Sequence, residues 1–88
     1  MSLSAVYKYP FLIDDVVAVD MPAGAEVLLV DAQNGVPTIW AMVNPNAIKT
    51  RRRFRVIGTG HSFDRDRLTH VASFQQPPFV WHLFEVTA

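Results

Sequence analysis

Two apolar runs, EVLLVDAQ (26–33) and PTIWAMV (37–43), stand on either side of Asn34-Gly35-Val36. Asn-Gly tolerates positive φ at both positions, which is what a two-residue hairpin turn requires. The flanking runs are too short for helices and rich in β-branched residues. Ile39, Ala41 and Val43 fall on one face of the second run, and Trp40 and Met42 on the other. This hairpin commits the middle of the chain to antiparallel sheet.

The rest of the chain reads the same way. AVYKYPFLI (5–13) is a strand that Pro10 confines to an edge or a bend. VVAVD (16–20) is a second short strand, and MPAGA (21–25) a turn. NPNAIK (44–49) is a polar loop. TRRRFRVIG (50–58) alternates, with Phe54 and Val56 on one face and Arg51, Arg53, Arg55 and Ile57 on the other. GTGHSFDRDR (58–67) is a loop with room for one helical turn capped by Ser62. LTHVASF (68–74) and PFVWHLFEV (78–86) pair across QQPP, and the last strand is apolar enough on both faces to be covered on both. No stretch sustains a 3.6-residue apolar period. The expected fold is a single all-β domain over residues 1–88, a small antiparallel barrel or sandwich of about six short strands. Residues 1–3, MSL, read as a cloning leader.

Such a chain has little interior. Of its 88 residues half are hydrophobic and 18% are charged, which is more apolar surface than so small a body hides well. There is no cysteine, so neither disulfides nor thiolate metal sites supply the missing stability. A homo-oligomer is the expected remedy. The formal net charge is zero but polarised. Residues 1–48 hold one base, Lys8, against Asp14, Asp15, Asp20, Glu26 and Asp31. Residues 49–88 hold seven bases against Asp64, Asp66 and Glu85. Pairing across a sheet or recognition of a partner would both produce that pattern. No window reaches membrane-spanning apolar length, and no signal peptide is visible.

Gly58-Thr59-Gly60-His61 is the leading candidate for a binding loop. Two glycines allow successive N–H groups to form an anion-binding nest, and His61 adds a titratable donor. The stretch lacks the spacing of a P-loop or a dinucleotide fingerprint, so a glycine-controlled strand exit competes with that reading. Arg51, Arg53 and Arg55 offer charge for phosphates or an acidic partner. Neutrality overall and the lack of interleaved aromatics argue against general nucleic-acid binding. His61, His70 and His82 show no metal-ligand spacing, and neither a metal nor a cofactor is expected. His82 and Glu85, three apart on a strand, point to opposite faces. No catalytic residue is assigned, because Ser62 beside His61 lacks the geometry of a nucleophile and its base.

YKYP near the start, MPAGAEVLLVDAQNGVPTIWAMV, FRVIGTGH and the closing FVWHLFE resemble a family of very short proteins of bacteriophages and bacterial genomes, often prophage-like. The resemblance spans roughly residues 7–85. It implies a stand-alone β domain in the cytoplasm of a bacterial host, with no assigned reaction and no catalytic residues to transfer. By analogy of gene context it implies binding of a host protein or of a small anionic ligand. The function expected is therefore a small oligomeric binding module that works through residues 51–61. A small enzyme acting on a phosphate-bearing or nucleotide substrate, with His61 as acid/base, is the alternative. A structural or assembly protein is the third reading.

Overall fold

In the computed structural model, which describes residues 3–87, Asn34 (φ 51°) and Gly35 (φ 80°) both occupy the left-handed region. That is the conformation the hairpin needs, and it joins β3 (Glu26–Gln33) to β4 (Val36–Val43). The other strands are β1 (Ala5–Pro10), β2 (Val16–Pro22), β5 (Lys49–Gly58), β6 (Leu68–Gln76) and β7 (Phe79–Val86). Among the described residues there are thus seven strands, at the seven segments the sequence marked, and every pair is antiparallel. They form two sheets, ordered β1-β4-β3 and β2-β5-β7-β6. The fold is a β-sandwich and not a closed barrel. Met1 and Ser2 of the suggested leader lie outside the described residues.

Residues paired across a ladder share a face, so the register fixes what each sheet buries. Ile39 pairs with Tyr9 and Val30, and Ala41 with Tyr7 and Val27. In the facing sheet Phe54 pairs with Val17, and Val56 with Leu83. Ile39, Phe54, Leu83 and Met21 are fully buried between the sheets. The expected faces of β4 and β5 are those observed. Two bulges break the period elsewhere. One falls between Val27 and Leu29, the other between His70 and Ala72.

The long link between β5 and β6 forms no helix. Asp64 Oδ1 accepts the Asp66 N–H at 2.9 Å, which closes a local turn in competition with a helical one. Phe63 packs on Phe84 at 5.1 Å between ring centroids. The link therefore lies as a strap over the outer face of β7. It covers Phe84, while Val80 and Val86 on the same face stay 39% exposed. Coverage of the last strand on both faces is met only at its middle.

Arg52 lies on the inner face with Phe54. Its guanidinium donates to both carboxylate oxygens of Glu85, each at 2.7 Å, and to Ala25 O. One cation thus ties β5 to β7 and to the β2–β3 turn. Bonding to Glu85 holds Arg52 above its ordinary pKa. Arg51 and Asp20 pair at 3.0 Å on the outer face, both more than half exposed. The hydrogen bond from Arg51 holds Asp20 below its ordinary value.

Arg52→Ala is expected to lower stability by about 2–3 kcal/mol in urea unfolding, because it strands a half-buried carboxylate. Arg51→Ala should leave the midpoint nearly unchanged, since exposed pairs contribute little. Because the folded-state pKa of Asp20 is lowered, its contribution is present at neutral pH and is lost as pH falls through that lowered value.

Candidate functional site

The strand directions gather four connections at one end of the sandwich. β1, β3, β5 and β6 finish there, and β2, β4 and β7 begin there. Backbone and side-chain bonds tie the connections together. Phe11 N donates to Pro37 O at 2.9 Å, and Thr59 N to Val80 O at 3.3 Å. Gln76 Nε2 donates to Gly35 O at 3.0 Å. Leu12 (85%), Phe79 (55%) and Val36 (45%) are exposed at this end. Loops on a rigid sandwich are the usual carriers of recognition, and apolar side chains held outward on them are what a partner buries.

A cleft of about 220 Å³ opens there between Gly58–His61 and Pro78–Trp81. Trp81 forms one wall. Its indole N–H is fixed by Gln76 Oε1 at 3.1 Å, and Phe79 lies 5.4 Å from it, tilted by 30°. Gly58 pairs with Trp81 across the ladder. A Cβ on Gly58 would stand 3.2 Å from a Trp81 ring carbon and 3.4 Å from His61 Nδ1. The glycine thus lets the indole and the imidazole close over the backbone. Gly60 (φ +89°) supplies the turn that returns His61 to it, and His61 N donates to Gly58 O at 3.1 Å.

These bonds bear on the anion nest. The N–H groups of Thr59 and His61 are both spent inside the fold. The arginines are elsewhere as well. Alternation puts Arg51, Arg53 and Arg55 on the outer face of the sheet, whereas Gly58 is on the inner face with Val56. The structure brings Gly58, Thr59 and His61 together at the cleft and leaves the three arginines along the strand.

A second arrangement adjoins the cleft on the outer face. Thr59 Oγ1 lies 3.2 Å from Val80 O and 2.8 Å from His82 Nε2. His82 Nδ1 lies 2.7 Å from Ser73 Oγ, which lies 3.0 Å from His70 Nε2. If the Thr59 hydroxyl donates to Val80 O, the rest follows in one direction. His82 Nε2–H donates to Thr59, Ser73 donates to His82 Nδ1, and His70 Nε2–H donates to Ser73. The bulge at Val71 makes this possible. It sets Ser73 opposite His82 and His70 opposite Phe84. Without it the two histidines would fall elsewhere in the ladder, which is why the sequence showed His70 and His82 but not the hydroxyl between them. Among the described residues no group of three or more metal-ligating side chains converges.

The family model described as a domain of unknown function (DUF7352) matches residues 3–88, and the chain belongs to that family. No curated protein and no solved structure matches it.

Gly58→Ala is expected to push the Trp81 and His61 rings apart, shifting tryptophan emission and costing about 1 kcal/mol of stability. Nitrogen-15 spectra of neutral His70 and His82 should show the Nε2–H tautomer for both. An Nδ1–H form of His82 would reverse the hydrogen-bond order given above.

Proposed function

We propose that this member of the DUF7352 family is a recognition module that binds a protein partner through its loop end. The carrying observation is the exposed apolar set at this end, Phe79 on a cleft walled by Trp81 and His61, and Leu12 and Val36 on a separate hollow with Pro10 and Phe11. At about 220 Å³ the cleft is below the roughly 300–1,000 Å³ of small-molecule pockets. It suits one inserted side chain of a partner better than a whole metabolite. Aromatic walls with a polar tip, here Trp81 and His61, are the residue types that anchor protein interfaces.

The small anionic ligand has weaker support. Two N–H groups of the loop are already bonded, and the arginines face away from the cleft. An enzymatic role for His61 would need a second group beside it, and the nearest hydroxyl–imidazole pairs, at Thr59, His82 and Ser73, involve His82.

The reading is tested with a photo-crosslinking residue placed at Phe79 or, as a control, at Asp66, in the cells that produce the protein. Position 79 should give one discrete protein adduct that is absent at 66 and lost with His61→Ala. No adduct at 79, or the same adducts at both positions, would overturn the reading. An added small-molecule mass in native mass spectrometry, lost with His61→Ala, would favour the ligand instead.

A further inference from the structure

Two open sheets have four edge strands, β1 and β3 in one, β2 and β6 in the other. An edge presents unpaired N–H and C=O groups, and proteins that stay monomeric usually blunt it with a proline, a charge or a bulge. β1 carries Lys8 and ends in Pro10. β3 is broken by its bulge after Val27, and β6 by the one after His70. β2 carries Asp20 and ends in Pro22, but it has no bulge and its one charge is already met by Arg51 of the same chain. It runs in unbroken register with β5 from Val16 to Pro22, with its proline at the last position. Val17 and Met21 are buried beneath it, while Val16 is 55% exposed above it. Apolar residues on both faces are the mark of an interior strand. Yet β2 borders an open cleft of about 510 Å³ that it shares with β1.

The geometry points to antiparallel pairing of β2 with β2 of a second copy, which joins two four-stranded sheets into one. Charge selects a second copy as the occupant. β2 begins just after Asp14-Asp15 and ends with Pro22 paired to Lys49 and Asp20 paired to Arg51. Val16 is paired to Arg55 and Asp20 to Arg51, so each end holds both signs, and what an antiparallel copy adds is Asp20 of each strand brought toward Arg53 of the other.

The register follows from symmetry. A two-fold axis perpendicular to the sheet keeps outer residues on the outer face, and an axis at Val19 pairs the whole of Val16–Pro22. Ala18 then stands opposite Asp20 of the second copy. Within its own sheet Ala18 is paired with Arg53, which makes no ion pair among the described residues. The methyl of Ala18 leaves an open lane for the Arg53 side chain. Asp20 of the second copy lies two inter-strand spacings away, roughly 10 Å between Cα atoms. Each Asp20 would thus sit between Arg51 of its own chain and Arg53 of the other. This contact is independent of the loop-end reading, because it uses a lateral edge.

Sedimentation equilibrium of the full chain, over low to high micromolar concentration, is expected to show a monomer–dimer equilibrium. Arg53→Glu should raise the dissociation constant at least tenfold while leaving unchanged the circular dichroism spectrum and, at concentrations where both proteins are monomeric, the unfolding midpoint. The chain has no cysteine, so Val19→Cys is expected to yield a disulfide-linked dimer under mild oxidation, and Asp66→Cys none. A monomer throughout the concentration range would overturn the proposal. So would a dimer that is insensitive to Arg53→Glu and fails to crosslink at position 19. If Val19→Cys unfolds, Ala18→Lys provides a second test, because an edge blocked by a long cation should give a folded monomer.

Discussion

Arg52, paired with Glu85, is the charged side chain of the inner layer on which several elements depend together. A guanidinium there costs solvation, and that cost is offset only when its donors are met. Here a bidentate carboxylate and a backbone carbonyl meet three of them. The carboxylate belongs to β7 and the carbonyl to the turn that enters β3. The guanidinium also lies 5.8 Å from the Phe54 ring centre. The same residue that fixes the central strand pair therefore fixes where the chain crosses from one sheet to the other. Hydrophobic burial of Phe54, Leu83 and Ile39 drives the sheets together without specifying direction. The directional bonds of Arg52 settle how they sit at this end.

The contrast between that end and the opposite one bears on function. Around Arg52 the turns are closed by bonds such as Ala23 N to Ile48 O at 2.7 Å and Thr87 N to Arg67 O at 2.8 Å. At the loop end the bonds are as regular, but they hold apolar side chains outward. Leu12, Val36 and Phe79 do not turn in to the core because Phe11, Phe74 and Trp81 already occupy it or its margin. The opposite end also exposes an apolar side chain, Ile48 (79%), but the loop end sets its apolar side chains beside a cleft with an aromatic wall.

Most of the fold was legible because its signals are local. Asn34-Gly35 dictated its own turn, and the alternation in β4 and β5 grouped Ile39, Ala41 and Val43, and Phe54 with Val56, on the faces that the structure buries. The same alternation set His82 and Glu85 on opposite faces, and Glu85 is found with Arg52 on the inside. What stayed hidden depends on non-local geometry. A bulge adds one residue to a strand and leaves no mark in composition, so Leu28 and Val71 could not be singled out. The strap over Phe84 is made by the fit of Phe63 to a distant strand. Within the candidate site, Gly58 and His61 were found, but the reason for the glycine was not. It is close approach of Trp81, which lies 23 positions later in the chain.

The polarised charge has a structural translation. The strands of β1-β4-β3 carry Lys8, Glu26 and Asp31, whereas those of β2-β5-β7-β6 carry Lys49, Arg51, Arg52, Arg53, Arg55, Asp20 and Glu85. The acidic and basic halves of the sequence thus become different sheets, with one exchange: β2 leaves the acidic half and brings Asp20 into the basic sheet. A cationic sheet would repel itself at close range. Placing one carboxylate on its outermost strand relieves Arg51 within the subunit and leaves Arg53 and Arg55 unsatisfied beside the same edge. The charge left over and the backbone left unpaired therefore lie on one strand pair, and a contact that resolves the first also resolves the second.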